Sequence, residues 1–191
     1  MEILEITEDL TLRLINEEDA ENYITLVYEN SEILKVDYNF GFLLDKMLSD
    51  YCWAYAEGVA KLNTEGGYYN YLLYHSSLST PIGNISIHNV LPKHGTCQVT
   101  FLIDDDFTNK GFATAMLQKV VSFCLDNLKL KGVYAAISPA NKAAQKIVNK
   151  VGFKKNSQHV EVVDKSFQAV DYYVFGEQST ILLFASQLLE S

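Results

Sequence analysis

Gly111 stands in the run "DDDFTNKGFATAMLQKVVSF" (residues 104–123), where an apolar-periodic helix is due to begin, with the small residues Ala113, Thr114 and Ala115 close behind it. A helix leaves its first N–H groups without partners and carries partial positive charge at that end. An anion therefore suits the space in front of it. Glycine lets the backbone turn there, small side chains keep the approach open, and Lys110 adds a charge at the mouth. A plain strand–helix connection accounts for the same residues without a ligand, and both readings stand at this point. Neither G-x-x-x-x-G-K-[ST] nor G-x-G-x-x-G is present, so the run is no Walker loop and no dinucleotide fingerprint.

Other reactive side chains exclude more than they propose. His75, His88, His94 and His159 lack metal-ligand spacing, so no metal site is expected. Cys52, Cys97 and Cys124 are odd in number and form no C-x-x-C pair, which suits buried thiols in a reducing compartment. The acidic start "MEILEITEDL" has no basic n-region, and no apolar run approaches the roughly 18 residues that span a bilayer. The chain reads as cytoplasmic, with no membrane partner.

A net charge of −9 argues against nucleic acid as a partner. Its distribution is uneven. Residues 1–60 hold fourteen acids against Arg13, Lys35 and Lys46, whereas residues 107–155 hold nine lysines against Asp126 alone. That division fits an anionic ligand on the later segment and a cationic one met by the earlier segment.

With 191 residues, 48% hydrophobic and 20% charged, and no repeats or Pro/Gly-rich linkers, the chain reads as one globular domain over 1–191. "LTLRLI" (10–15) alternates as a strand and leads into a helix over "NEEDAENYITLVYEN", which Asn16 caps and Ala20, Tyr23, Ile24 and Val27 face inward. One or two helices are expected within 40–62. Three strands follow at 68–75, 81–90 and 97–103, as a meander. Met116, Leu117, Val120, Val121, Cys124 and Leu128 then repeat at helical spacing. A short strand at 132–138 precedes a second helix with Asn141 as N-cap and Gly152 at C′. Strands near 154–164 and 167–175 close the sheet, and residues 176–191 read as a possible extra helix. The expected fold is α/β, a mixed and mostly antiparallel central sheet flanked by helices.

The order of these pieces resembles the GNAT N-acetyltransferase superfamily over roughly residues 8–175. Thr108-Asn-Lys-Gly111-Phe-Ala113 is similar to the family's pyrophosphate loop Q/R-x-x-G-x-G/A, with Thr108 where Gln or Arg is usual. Asn141-Lys-Ala-Ala144 and Gly152-Phe153 match its later N-x-x-A/S and G-F. "LTLRLINEEDAENY", "PIGNISIHNV" and "FLIDDDFTNKGFATAML" look most like the branch of ribosomal-protein N-terminal (alanine/serine) acetyltransferases.

The resemblance implies the GNAT acyl-CoA N-acyltransferase fold, acetyl-CoA as cosubstrate, and acetyl transfer to a primary amine. It implies that backbone amides of Thr108, Asn109, Lys110, Gly111, Phe112, Ala113 and Thr114 hold the pyrophosphate. The strand around Phe101 to Ile103 would bond the pantetheine, and Asn141 would contact that arm. The acceptor would be a protein N-terminus or an amine-bearing small molecule, and the enzyme a monomer or homodimer. Polyamine or aminoglycoside acetylation, and an acetyl-CoA-binding module without turnover, are the alternatives.

Three acid–base positions of the family are changed here. Val148 stands where many members carry Tyr, Ala144 where the branch uses Ser, and Gln98 where the branch often has Glu. His88, at the end of the alternating "GNISI", is the remaining candidate for general base, directly or through water. Asp104–Asp106 read as a solvated turn.

Overall fold

Alternation in the apolar segments of this chain makes strands, and the computed structural model joins all of them into one sheet. It describes residues 3–30, 58, 67–163 and 166–176, with backbone alone over 157–163 and 166–169. The helices expected within 40–62, Cys52 and the segment after Gly176 lie outside the described residues. Strand β1 (Ile3–Glu5) and β2 (Leu10–Leu14) form an antiparallel hairpin. Sequence reasoning missed β1, whose three residues are too few to show a period.

Helix α1 (Ala20–Glu29) follows a short 3-10 turn. Asn16 and Asp19 make a capping box, in which Asn16 accepts from the Glu18 amide at 2.8 Å and Asp19 accepts from the Asn16 amide at 3.0 Å. Such a cap contributes about 1 kcal/mol. Ala20, Tyr23 and Val27 are buried as expected, and Leu26 with them.

β3 (Tyr69–His75), β4 (Gly83–Leu91) and β5 (Thr96–Ile103) make the expected meander. Then come α2 (Phe112–Asp126), β6 (Gly132–Ile137), α3 (Lys142–Val151), β7 (Lys154–Val163) and β8 (Ser166–Gly176). The sheet order is β1-β2-β3-β4-β5-β6-β8-β7, antiparallel throughout except for the β5–β6 pair. β8 lies inside and β7 at the edge. Their composition suits this: β8 carries "AVDYYVF", apolar but for the buried Asp171, which pairs with Lys155 of β7 at 2.7 Å, whereas β7 opens with Lys154, Lys155 and Asn156, the polar side chains an edge tolerates.

The two faces are covered differently. Leu12, Tyr71, Ile85, Ile87, Val99 and Val133 pack beneath Met116, Leu117, Val120 and Cys124 of α2 and Ala144 and Val148 of α3. Tyr23, Leu26 and Val27 of α1 cover Leu72 and Leu102 on the opposite face. Each fully buried side chain of this size contributes roughly 1.5–3 kcal/mol. Gly152 ends α3 at φ 111°, the left-handed C′ conformation, and sends Phe153 into the core against Phe175, with ring centroids 5.5 Å apart.

Candidate functional site

β5 runs out at Ile103 into a tight acidic turn. Asp104 accepts a hydrogen bond from the Asp106 amide at 3.0 Å, and the Asp105 amide donates to Asn30 at the end of α1 at 3.0 Å. Asp104–Asp106 are therefore turn-formers, Asp105 and Asp106 exposed and Asp104 half-buried. Asn109 (φ 59°) and Gly111 (φ 85°) both take left-handed conformations on either side of Lys110. The φ of 85° is what favours glycine at 111, since an added Cβ would meet no atom within 4 Å. The space before α2 is thus open.

No side chain caps α2. Its first internal bond runs from the Ala115 amide to the Gly111 carbonyl at 3.1 Å, so the N–H groups of Phe112, Ala113 and Thr114 have no partner within the helix. These three residues are half-buried, while Thr108, Asn109, Lys110 and Gly111 are exposed. The Thr108 amide is turned to the Asp105 carbonyl at 3.2 Å. Lys110 folds back, its Nζ donating to the Asp106 carbonyl at 2.9 Å and resting 4.6 Å over the Phe107 ring. The His75 ring lies 5.9 Å from that of Phe112, which anchors the helix start to β3.

Beside this corner the sheet opens. β5 and β6 pair in parallel at Thr96↔Gly132, Cys97↔Val133 and Gln98↔Tyr134, and the register ends there although both strands continue. Val99–Ile103 and Ala135–Ile137 are left facing each other without ladder pairs. Phe101 is half-buried and Ile103 buried at this free edge. Asn141 caps α3 just past β6, its Oδ1 accepting from the Ala144 amide at 2.9 Å. Gln145 braces the same loop by donating to the Ser138 and Pro139 carbonyls. Val148 is fully buried and Ala144 nearly so, which leaves α3 with no acid at either position.

On the α1 face of β4 and β5 a polar set gathers. His88 lies opposite Gln98, and its Nε2 is 2.9 Å from Thr100 Oγ1. One residue on, β4 bulges at Asn89 (φ 49°), whose Nδ2 donates to Gln98 Oε1 at 2.9 Å. Burial lowers the His88 pKa from 6.5 to about 4, with no charged neighbour contributing. The imidazole is therefore neutral at any pH above about 5. Further along the same rows, Asn84 donates to Asn70 and to the Tyr71 carbonyl. Sequence reasoning missed Thr100. Its signal was a lone hydroxyl facing the α1 side between Gln98 and Leu102 in a buried strand.

Cys97 and Cys124 are free and buried with sulfurs 3.6 Å apart, as expected of core thiols. Among the described residues no cluster of three or more His, Cys, Asp or Glu is arranged for a metal ion, and no helix is long and apolar enough to cross a membrane.

A mixed sheet splayed between two parallel strands, with an uncapped helix start at the mouth, defines an acyl-CoA-dependent transferase fold. The match to known proteins agrees. Residues 9–154 match the acetyltransferase (GNAT) domain, and the chain belongs to that family. It is an acetyl-CoA-dependent N-acetyltransferase. The chain is 28% identical over 150 residues to the uncharacterized N-acetyltransferase YoaA of Bacillus subtilis, covering 78% of this chain and 81% of that one. It is 22% identical over 177 residues to the uncharacterized N-acetyltransferase p20 of Bacillus licheniformis, covering 89% and 93%. Among solved structures its fold is similar to RimL, a ribosomal L7/L12 alpha-N-protein acetyltransferase in complex with coenzyme A. There the TM-score is 0.80 at 16% identity, over 92% of this chain and 98% of that one. It is also similar to the microcin C7 self-immunity acetyltransferase MccE in complex with acetyl-CoA and AMP, with a TM-score of 0.78 at 15% identity over 90% and 94%.

Proposed function

We propose that this enzyme acetylates the α-amine of a peptide or protein N-terminus. The open N–H groups of Phe112, Ala113 and Thr114, with the turn from Thr108 to Gly111, receive the pyrophosphate of acetyl-CoA. The free β5 edge at Phe101 and Ile103 bonds the pantetheine, and Asn141 flanks that arm. His88 acts as general base on the amine side.

The observation that carries the choice of acceptor is the half-buried His88, its pKa lowered by desolvation, set opposite Gln98 rather than opposite a carboxylate. An α-amine of pKa about 8 is roughly a quarter neutral at pH 7.5, so a weak base suffices. A lysine side chain of pKa about 10.4 is only about 0.1% neutral, a handicap near 4 kcal/mol that needs a strong base or a carboxylate to offset. The similarity in fold to an alpha-N-protein acetyltransferase supports the same reading. One observation favours a small polycationic amine instead: Glu5, Glu8, Asp9, Glu17, Glu18 and Glu21 are all exposed around β1, β2 and α1.

Free coenzyme A thiol released from acetyl-CoA in the presence of N-terminal peptides, polyamines and aminoglycosides decides between them. Peptides are expected to react and the others to lag by at least tenfold. Faster turnover with a polyamine would overturn the assignment. Calorimetric binding of acetyl-CoA without thiol release across the panel would mark a binding module.

A further inference from the structure

On the α1 face, Thr100 lies between the open β5 edge and His88. It is the second residue past Gln98, where the pairing of β5 with β6 ends, so it borders the splay that would take the thioester. Its register partner on β4 is Ser86, and its hydroxyl reaches back one row to His88 Nε2 at 2.9 Å. The Asn89–Gln98 bond ties the bulge to the residue opposite the histidine. The imidazole is thus fixed with its Nε2 engaged by a hydroxyl that lies nearer the splay than the ring does.

We propose that Thr100 and His88 act as a proton relay, in which the Thr100 hydroxyl takes the proton of the attacking amine while passing its own to His88 Nε2. This rests on the acetyltransferase reading of the site and replaces the water that a histidine alone would need. As the C–N bond forms, the amine nitrogen loses its proton to Thr100 Oγ1, and the Thr100 proton moves to Nε2. As the C–S bond breaks, the imidazolium returns one proton through Thr100 to the departing thiolate. Nothing is oxidised or reduced. The relay supplies both the base and the acid, which matters because Val148 and Ala144 carry no group able to protonate the thiolate.

Burial favours this use of the pair. Among the described residues no charge perturbs His88, and the titratable side chain beside it is Tyr68, with ring centroids 6.3 Å apart. A base of pKa about 4 cannot draw a proton from an ammonium of pKa about 8, but it can take one from the far more acidic nitrogen created by attack on the carbonyl. The amine must therefore arrive neutral, and the acid limb of kcat/KM should follow the pKa of the acceptor rather than that of His88.

Thr100→Val removes the hydroxyl and nearly keeps the shape. We expect kcat to fall on the order of 100-fold, with acetyl-CoA affinity by calorimetry unchanged and Thr100→Ser restoring most of the rate. His88→Gln should cost as much, and the double variant no more than either single one, since the two act as a unit. Wild-type kcat in Thr100→Val, or additive losses in the double variant, would overturn the relay. A second measurement needs no turnover: nitrogen NMR of histidine-labelled protein should show Nε2 unprotonated at pH 7, and a protonated Nε2 sinks the relay. Failure of every amine to react would instead count against the acetyltransferase reading of the acceptor side, leaving the NMR result to judge the dyad.

Discussion

The two halves of this site are built from different materials. The corner where β5 turns into α2 works through backbone: two left-handed residues, an uncapped helix and small side chains that stay out of the way. The face shared by β4 and β5 works through side chains, His88, Gln98, Thr100 and Asn89, placed in register by strand pairing. The contrast teaches how each half can fail. A backbone site tolerates truncation and is destroyed by bulk, whereas a side-chain site tolerates nothing that alters its hydrogen-bonding groups.

The largest effect should come from bulk at the corner. Gly111→Glu fills the open space and places a carboxylate before the helix. Acetyl-CoA affinity should fall at least about 100-fold, near 2.7 kcal/mol, while the φ of 85° costs the fold only about 1 kcal/mol. Calorimetry with a thermal melt checks both, and an unchanged Kd would remove the corner from the binding site. On the other half, Gln98→Glu sets a carboxylate opposite His88. That should raise the histidine pKa from about 4 by one to three units, read by NMR titration. No movement would mean that the two side chains do not face one another in solution.

Acid stability sharpens the same point. The folded His88 takes its proton near pH 4, whereas the unfolded chain takes it near 6.5. Between those values the unfolded state holds more protons, so stability falls as pH drops through the window and is unaffected above it. His88→Gln should abolish about 2 kcal/mol of that loss, allowing for the ring's partial exposure, as measured by urea unfolding at pH 7 and pH 4.5. Next in size, Asn141→Ala removes the α3 cap and should cost about 1 kcal/mol of stability. The smallest effect belongs to Lys110→Ala. Its Nζ is held by the Asp106 carbonyl, so acetyl-CoA affinity should change less than about threefold; a larger loss would show the lysine swinging out to the phosphates.

Local signals were legible in the sequence wherever their cause was local. Asn16, Asn141 and Gly152 cap their helices as read, because a cap is decided by residues within one turn. Strand edges were read within about two residues, and the composition around Gly111 marked a turn into a helix while leaving a ligand there open. The β1 strand was too short to announce itself. The bulge at Asn89 and the bond between His88 and Thr100, twelve residues apart, depend on the β4–β5 register, which no window of sequence contains.

The amino-acid sequence by itself determined most of the described strands and helices, β1 apart, and that an unprotected helix start follows β5, since periodicity and capping act over a few residues. Only the tertiary structure decided that β8 inserts beside β6, that β5 and β6 part after Gln98, and that a threonine and a histidine meet beside the gap. Those outcomes come from long-range pairing, in which apolar strands compete for the interior and register brings distant side chains onto one row.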